Sequence, residues 1–500
     1  MQAGTWIFLG IYLAGVMVIA YFGSKRTKTM EDYFLASRRL GPVVLGLSFL
    51  ATWLHITFVM GAPTLAFLAG YGAWTIVPLN IIISIVLCFW ILALPLRRMS
   101  GKLDATTLPE FFKKRFESGR MSVVSSIIII ISLFTYLGAI YVGAATACEA
   151  LLGIPYIWGL VLVTFLVVIY TSLGGFFGVC WTDFAQGIIV FICLVVVFAL
   201  SFAKIGGFGG LHESLLAQNP RLVQWPLEGG FEGIFSIPFS LILAFGFLSA
   251  FSSWAETPAV IRFFALRSLR DMKKMILVVL FFVAVFLITD VFIGMVGRTM
   301  FNLETVGNPD LILPLTMKEV APVWLVSFFL VALVASGMGA IDSYLLVLTS
   351  SLTKDIYQGA INPKVSSKTM LTLSRIVTIV IGVGVFLVVM KRPTTLLSFL
   401  AASMGMLLSS LVVPLLFGLY WKRSTGLAGV TAMIVGFVSF LLFSTFVFGW
   451  GTIECTMSAG PATAISILVF LAVSFFTKAP SQELLDKAFL KSKPLEAASA

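Results

Sequence analysis

The chain has 500 residues, 59% of them hydrophobic and only 11% charged, with a net charge of +11. Soluble domains carry about a quarter charged residues, so this composition belongs in a membrane, and at about 20 apolar residues per spanning helix it leaves no room for a large water-facing domain. Most soluble enzyme classes are thereby excluded. The positive charge is first a question of sidedness and only then one of nucleic acid or acidic lipid.

Thirteen long apolar runs follow one another at roughly 5–22, 42–70, 75–96, 122–151, 155–173, 178–203, 233–255, 275–297, 321–352, 370–390, 394–420, 425–449 and 458–477. An odd number puts the termini on opposite sides. Of 33 basic residues, 27 fall in one set of connections, including seven from Arg97 to Arg120 and five from Arg262 to Lys274. The other side holds six: Lys204, Arg221, Arg298, Lys318, Lys391 and Arg392. Short positive loops stay cytoplasmic, so the expectation is a multi-pass cell-membrane protein with its N-terminus outside and its C-terminus inside. The first run has no basic stretch before it and no small-residue cleavage site after it, which reads as a retained span rather than a signal peptide. Cys88, Cys148, Cys180 and Cys193 lie within runs and Cys455 in an outer connection, a spacing that gives neither a disulfide framework nor a metal-ligand pattern. No cofactor is expected.

Chemistry must then come from polar groups inside the spans, where ionisable residues are costly and face a cavity or a partner. These are His55 in the second run, Asp183 in the sixth, Glu256 at the inner end of the seventh, Asp290 in the eighth and Asp342 in the ninth. The second run also carries Ala51-Thr52-Trp53-Leu54-His55-Ile56-Thr57 before Gly61 and Pro63, a patch that reads badly as continuous helix. Proline removes a backbone donor, so carbonyls at Val59 and before it are candidates for release, tolerated in a bilayer only where they line a cavity. A comparable patch in the seventh run extends from Gly246 through Ser249, Ser252 and Ser253 to Trp254, between Pro238 and Pro258. Two interrupted spans five apart predict inverted five-helix repeats around a midplane site. The units expected are an extra span and loop at 1–41, a first repeat at 42–205, an outer loop at 206–232, a second repeat at 233–421, and two spans with a short tail at 422–500.

Four stretches in order along the chain carry a resemblance. They are Asp32-Tyr33-Phe34-Leu35-Ala36-Ser37-Arg38-Arg39; Tyr170-Thr171 and Gly174-Gly175 leading to Val179, Trp181-Thr182-Asp183 and Gln186; Arg262-Phe263; and Ser350-Ser351, Thr353, Asp355-Ile356-Tyr357 before Ser374-Arg375. With these the chain resembles the sodium/solute symporter family, which includes proline, pantothenate and glucose cotransporters. The resemblance implies an all-α fold of the LeuT kind with thirteen transmembrane helices, working by alternating access. It also implies a sodium site on the carbonyls of Ala51, Leu54 and Ser336 and on two hydroxyls, at positions held here by Gly339 and Ala340. Neither has a side-chain oxygen.

Asp342 and Ser343 occupy positions where some members of the family place hydroxyls for an additional cation, and Asp183 matches a family aspartate serving the same neighbourhood. Sodium could therefore sit at a shifted site toward Asp183 and Asp342. Alternatively, burial and a like-charged neighbour favour the protonated form of a carboxyl group, so that one of the two carries a coupling proton. His55 stands at the presumed break, where family members place residues that touch the solute, and a charged imidazole there would suit an anionic solute such as a carboxylate; a neutral imidazole bonded to a released carbonyl is the plainer reading. Trp53 replaces an acidic residue of the proline carriers. Ser249, Ser252 and Ser253 are candidates for solute contact or for interhelical bonding. Glu256 reads as a cytoplasmic-end partner of Arg262, and Asp290 as a locally bonded carboxylate or a proton entry point. The expected activity is cation-coupled uptake of a small organic solute by a monomer or weak oligomer in the bilayer, with no nucleic-acid partner and no enzymatic step. An uncoupled facilitator and a transporter-like sensory protein are the alternatives; the latter needs a cytoplasmic output module that a tail ending at Ala500 does not offer.

Overall fold

The structure, a computed structural model, describes residues 2–224, 239–392 and 396–489. Pro238, the outer loop from residue 225, the tail from residue 490 and the side chain of Thr57 lie outside the described residues. Among the described residues every regular element is a helix, as hydrocarbon demands of a backbone that must satisfy its own hydrogen bonds.

The order is α1 (Gln2–Arg26), α2 (Pro42–Trp53), α3 (Ile56–Ala69), α4 (Val77–Leu103), α5 (Gly119–Ala147) and α6 (Tyr156–Ile205). Then come α7 (Phe239–Ser252), α8 (Thr257–Ala265), α9 (Leu269–Met300), α10 (Val323–Ser350) and α11 (Ser367–Val389). The chain closes with α12 (Leu397–Tyr420), α13 (Gly426–Phe448) and α14 (Thr452–Phe476). Ten helices among the described residues are long and apolar enough to cross a membrane, eleven if the pair Met30–Arg38 and Pro42–Trp53, bent by 112°, is taken as one. The thirteen apolar runs divide differently from these helices for two reasons. Run two is two shorter helices and the described part of run seven is the 14-residue α7 with one tight turn, all too short to count, and runs five and six lie together in α6. Fifty residues of helix measure about 75 Å, more than twice the bilayer's hydrocarbon thickness. Gly175 divides α6 with φ 54° and ψ −158°, backbone angles that a residue with a Cβ rarely adopts, and a Cβ there would also come within 3.0 Å of the Tyr33 backbone oxygen.

The first break falls at Leu54 (φ −88°, ψ 51°) and His55 (φ −72°, ψ 170°). This is earlier than the Val59 carbonyl singled out from Pro63, which stays inside α3. A proline removes one donor and need only kink a helix, whereas His55 turns the chain fully extended and its carbonyl restarts the helix by accepting from both Phe58 N (2.8 Å) and Val59 N (3.1 Å). The second break lies at the end of the patch expected to interrupt the seventh run, since α7 continues unbroken through Gly246 to Ser252. A single tight turn at Ser253–Ala255 leads into extended Glu256 (φ −69°, ψ 92°), and Pro258 follows in the first turn of α8, where its missing N–H has no helical acceptor to lose.

Helix α10 is buried along nearly its whole length, from Val326 to Ser350, and is the central pillar. Helices α1 and α11 instead expose Ile7, Ile11, Val380 and Leu387, the apolar outer face expected against lipid. Cys455 is not in a connection: α14 begins at Thr452 and buries it.

Candidate functional site

Two polar groupings meet α10 beside the helix breaks. The first lies under the Leu54–His55 break, where α2, α6, α8 and α10 converge. The α10 backbone can approach its neighbours because it is small-sided here: a Cβ on Gly337 would sit 3.1 Å from the Ala144 Cβ of α5 and 3.3 Å from Ile56 of α3. Arg262, counted among the loop cations by sequence, is in fact 1% exposed on α8 and pairs with Asp183 on α6, Nη2 to Oδ2 at 2.9 Å. The same guanidinium donates to Ser48 Oγ (3.0 Å), to Ser343 Oγ (2.7 Å) and to the Pro258 carbonyl. Ser48 Oγ donates in turn to Asp183 Oδ2 at 2.6 Å. Asp342, fully buried on α10, is approached by hydroxyls: Tyr170 (2.9 Å) and Thr182 (3.4 Å) at Oδ2 and Ser343 (3.1 Å) at Oδ1. Thr52 of α2 closes the group on Ser343 at 3.2 Å. Two buried carboxylates thus stand near one guanidinium, which pairs with Asp183 and reaches Asp342 only through Ser343.

Asp183 Oδ1 and Gln186 Oε1 are buried without a hydrogen-bond partner. Both point at Gly339, where a Cβ would overlap Gln186 Oε1 and lie 2.9 Å from Asp183 Oδ1. The other end of the Gln186 amide is anchored, Nε2 donating to the Tyr12 hydroxyl of α1 at 2.6 Å. Beside Gln186 is a cavity of about 40 Å³ lined by Leu50, Ala51, Leu54, Phe286 and Ser336 among others, room for a guest the size of a water molecule or a small ion. Ala51, Leu54, Asp183, Ser336, Gly339, Asp342 and Ser343 are therefore brought to one region, while Ala340 contributes only a buried methyl. Gln186 and Tyr12 are among the residues that sequence reasoning passed over, as are Ser48, Tyr136 and Tyr344. Gln186 was visible in the quoted Trp181-to-Gln186 stretch, three residues after Asp183 and so on nearly the same helix face.

The second grouping joins the two breaks. His55 Nε2 is 3.0 Å from the Tyr136 hydroxyl of α5, and its Nδ1 has no partner. Tyr136 stacks on Tyr344 of α10, ring centroids 4.9 Å apart, and the Tyr344 hydroxyl bonds Glu256 at the second break. Glu256 is therefore held by a tyrosine, and the expected pairing with Arg262 is replaced by the Arg262–Asp183 pair; the extended backbone at Glu256 separates its side chain from the α8 face that carries Arg262. Trp53 packs on Phe58, centroids 4.7 Å apart. The three serines stay with their own helix: Ser252 donates to the Ser249 carbonyl, Ser253 to that of Ala250, and Ser249, which accepts from Asn80 Nδ2 at 2.5 Å, to that of Gly246. Asp290 joins neither grouping. It is fully buried on α9, both oxygens unpartnered among the described residues, one turn before Gly294, which packs against Pro63 of α3.

A model of the sodium:solute symporter family matches residues 33–436. The chain belongs to the sodium:solute symporter family. Its relatives in that family include the osmoregulated proline transporter OpuE of Bacillus subtilis, 30% identical over 95% of each chain. The high-affinity proline transporter PutP of the same organism is 28% identical over 94% of this chain and 98% of its own. A sodium/proline symporter of Staphylococcus aureus is 27% identical over 95% and 93%. Among solved structures, the substrate-bound, outward-open state of a Na+-coupled sialic acid symporter superposes with a TM-score of 0.79 at 22% identity, covering 96% of this chain and 98% of that one. MhsT in complex with L-phenylalanine gives 0.51 at 16%, over 87% and 98%. At such identities the likeness speaks for the fold, and that fold is of the LeuT kind. Transport, not catalysis, is the business of this symporter family.

Proposed function

We propose that this symporter-family chain imports a small, carboxylate-bearing organic solute by cation-coupled alternating access. The observation that carries the reading is the charge balance under the first break. Asp183 and Asp342 are fully buried around the single guanidinium of Arg262, and a surplus buried negative charge is costly until a cation joins it. The carbonyls of Ala51, Leu54 and Ser336, with Asp183, Asp342 and Ser343, would hold that cation, while Gly339 and Ala340 give space and no oxygen. The residues present suit such an occupant, because two buried oxygens there, Asp183 Oδ1 and Gln186 Oε1, lack partners, and Gln186 also lines a cavity of its size with Ala51, Leu54 and Ser336. Helix halves α2 and α8 both contribute to the cluster, so cation occupancy bears on the elements that must move between inward- and outward-facing states. An uncoupled facilitator has no use for this imbalance.

The solute is placed between the two breaks, against Trp53, His55, Tyr136, Tyr344 and Glu256. Ser249, Ser252 and Ser253 are the weaker part of that set because their hydroxyls already donate within α7. His55 N-caps α3 without a side-chain cap bond, leaving first-turn amides to receive a carboxylate. Proline, named for relatives of this chain, and sialic acid, named for a protein of like fold, both carry one. Counting α2 with α3, α7 with α8, and α6 as two crossings at Gly175 gives thirteen spans, ten of them in inverted five-helix repeats at 42–205 and 233–421. The distribution of basic residues orients these spans with the N-terminus outside.

Counterflow in proteoliposomes with a panel of proline, sialic acid and other small carboxylates, followed by imposed sodium and proton gradients on each hit, tests the proposal. Accumulation above equilibrium under one of the two gradients is the expected outcome. Equilibration without accumulation under both would reduce the protein to a facilitator and remove the coupling reading.

A further inference from the structure

We infer that Gln186 supplies the sodium ligand that Gly339 and Ala340 cannot, so that the coupling ion of this chain is bound across the α6–α10 contact by Gln186 Oε1 and Asp183 Oδ1. The inference rests on the cation-coupled reading above and identifies the ion and its side-chain ligands.

The geometry is specific to the missing side chain. A Cβ at position 339 would overlap Gln186 Oε1 and lie 2.9 Å from Asp183 Oδ1. The glycine therefore vacates the space into which two α6 oxygens reach. Both are buried acceptors with no donor, and two such oxygens turned toward one point repel each other unless something positive lies between them. Asp342, by contrast, already has hydroxyls at both oxygens, and Asp183 Oδ2 is taken by Ser48 and Arg262. The bare pair marks where positive charge is lacking. Ala51, Leu54, Gln186 and Ser336 line one cavity, and hard cations are met by oxygens from carbonyls, amides and carboxylates.

The Gln186 carbonyl is aimed from outside the repeats. Its amide nitrogen donates to Tyr12 Oη at 2.6 Å, and Tyr12 belongs to α1, the span that precedes the first repeat. Tyr12 is thus a positioning residue, and the N-terminal helix has a part in ion selection.

The test needs no solute: binding of radioactive sodium, and sodium-dependent thermal stabilisation, measured on the purified full-length protein in detergent. Loss of one ligand in Gln186→Ala is expected to weaken sodium binding about tenfold or more, and loss of its positioning partner in Tyr12→Phe by a smaller factor, several-fold. Gly339→Ser alone places a side chain onto Gln186 Oε1 and also weakens binding, whereas the triple variant Gln186→Ala/Gly339→Ser/Ala340→Ser returns two hydroxyls and regains most of the affinity. This recovery distinguishes a ligand from a packing residue. The inference is overturned if Gln186→Ala binds sodium like the wild type. It is equally overturned if that variant only melts lower with unchanged sodium affinity, the behaviour of an amide turned over to donate from Nε2 to Asp183. Wild-type protein that binds no sodium yet accumulates solute under a proton gradient removes this inference and leaves the coupling proposal standing. Accumulation under neither gradient removes both.

Discussion

Asp183 on α6 and Asp290 on α9 are both fully buried, yet Asp183 Oδ2 receives Ser48 and Arg262 while neither oxygen of Asp290 has a partner among the described residues. Around Asp183 four helices bring side chains into one polar cluster. Around Asp290 no such cluster forms among the described residues: Phe286, one turn earlier, lies 6.1 Å from Phe58, and Gly294, one turn later, abuts the Pro63 backbone. Burial of a carboxylate in a membrane protein is thus not by itself the mark of a working site. Convergence of partners from several helices is what sets Asp183 apart, and uptake by Arg262 and Asp290 variants tests whether it marks one.

The largest test of this contrast is removal of the counter-charge. Arg262→Gln leaves Asp183 buried and unpaired, and breaking a buried pair from one side costs about 3–5 kcal/mol. We expect a lowered melting temperature for the purified protein and no gradient-driven uptake. Arg262→Gln/Asp183→Asn should regain most of the stability without regaining transport. A single variant as stable as wild type would show that the pair is not the organising contact of the cluster.

Next in size is the tyrosine link between the breaks. Tyr344→Phe leaves Glu256 buried without its donor, an expected loss of about 1–3 kcal/mol. Combined with Glu256→Gln, the effects should be non-additive by about 1 kcal/mol, as for residues in contact. Additive losses in a double-mutant cycle on thermal stability would deny the contact. The same variants should weaken solute binding if the solute lies between the breaks.

How far the sequence could carry these conclusions depends on range. The break near His55 was legible because a run of Thr, Trp and His before Gly61 and Pro63 is a local signal, although proline chemistry alone misplaced it toward Val59. Glycine and serine before Pro258 marked the second break in the same way. The Arg262–Asp183 pair spans 79 residues, and no local pattern joins them; the loop-like composition around Arg267 and Arg270 drew Arg262 into the cytoplasmic tally instead. Glu256 was then given Arg262 as a partner by proximity in the chain, when its actual partner, Tyr344, comes from 88 residues away. The role of Gly339 was half legible: the missing oxygen is evident in sequence, but what fills the gap depends on the packing of α6 against α10. A spanning helix is apolar on most faces, so hydropathy does not say which face meets which neighbour.

Asp290 should respond less than either grouping. Asp290→Asn keeps the shape and removes the charge, and Asp290→Leu replaces an unpartnered polar group by an apolar one, changes that are near neutral when no partner is stranded. We expect stability within about 1 kcal/mol of wild type and retained uptake with unchanged ion dependence. Loss of proton- or sodium-driven accumulation in Asp290→Asn, with folding intact, would move Asp290 into the functional class and dissolve the contrast with Asp183.

The smallest expected effect lies at the far end of α10, where the short helix Leu108–Arg115 meets the helical segment Ser351–Ile361 that continues it. Glu110 there faces Lys114 at 2.8 Å and Lys354 at 3.7 Å, and Thr107 donates to Asp355 at 2.6 Å. Burial pushes the Glu110 carboxyl up, but the ammonium of Lys354 and the bonds from Lys114 and Thr106 outweigh it and bring the pKa down to about 2 from its ordinary 4.5. A group whose pKa is depressed on folding stabilises the folded state fully above its unfolded value and ceases to do so as the pH falls through its folded one. The stability gap between wild type and Glu110→Gln should therefore be widest near neutrality, narrow from about pH 4.5 downward and close near pH 2. With side chains about a quarter exposed, solvent screening keeps the gap to about 1 kcal/mol, and Lys354→Met should show less. A gap that does not change with pH would mean that the contact around Glu110 works by packing alone. It would also sharpen the contrast drawn above, because a charge pair would then matter only where, as at Asp183, water is excluded from it.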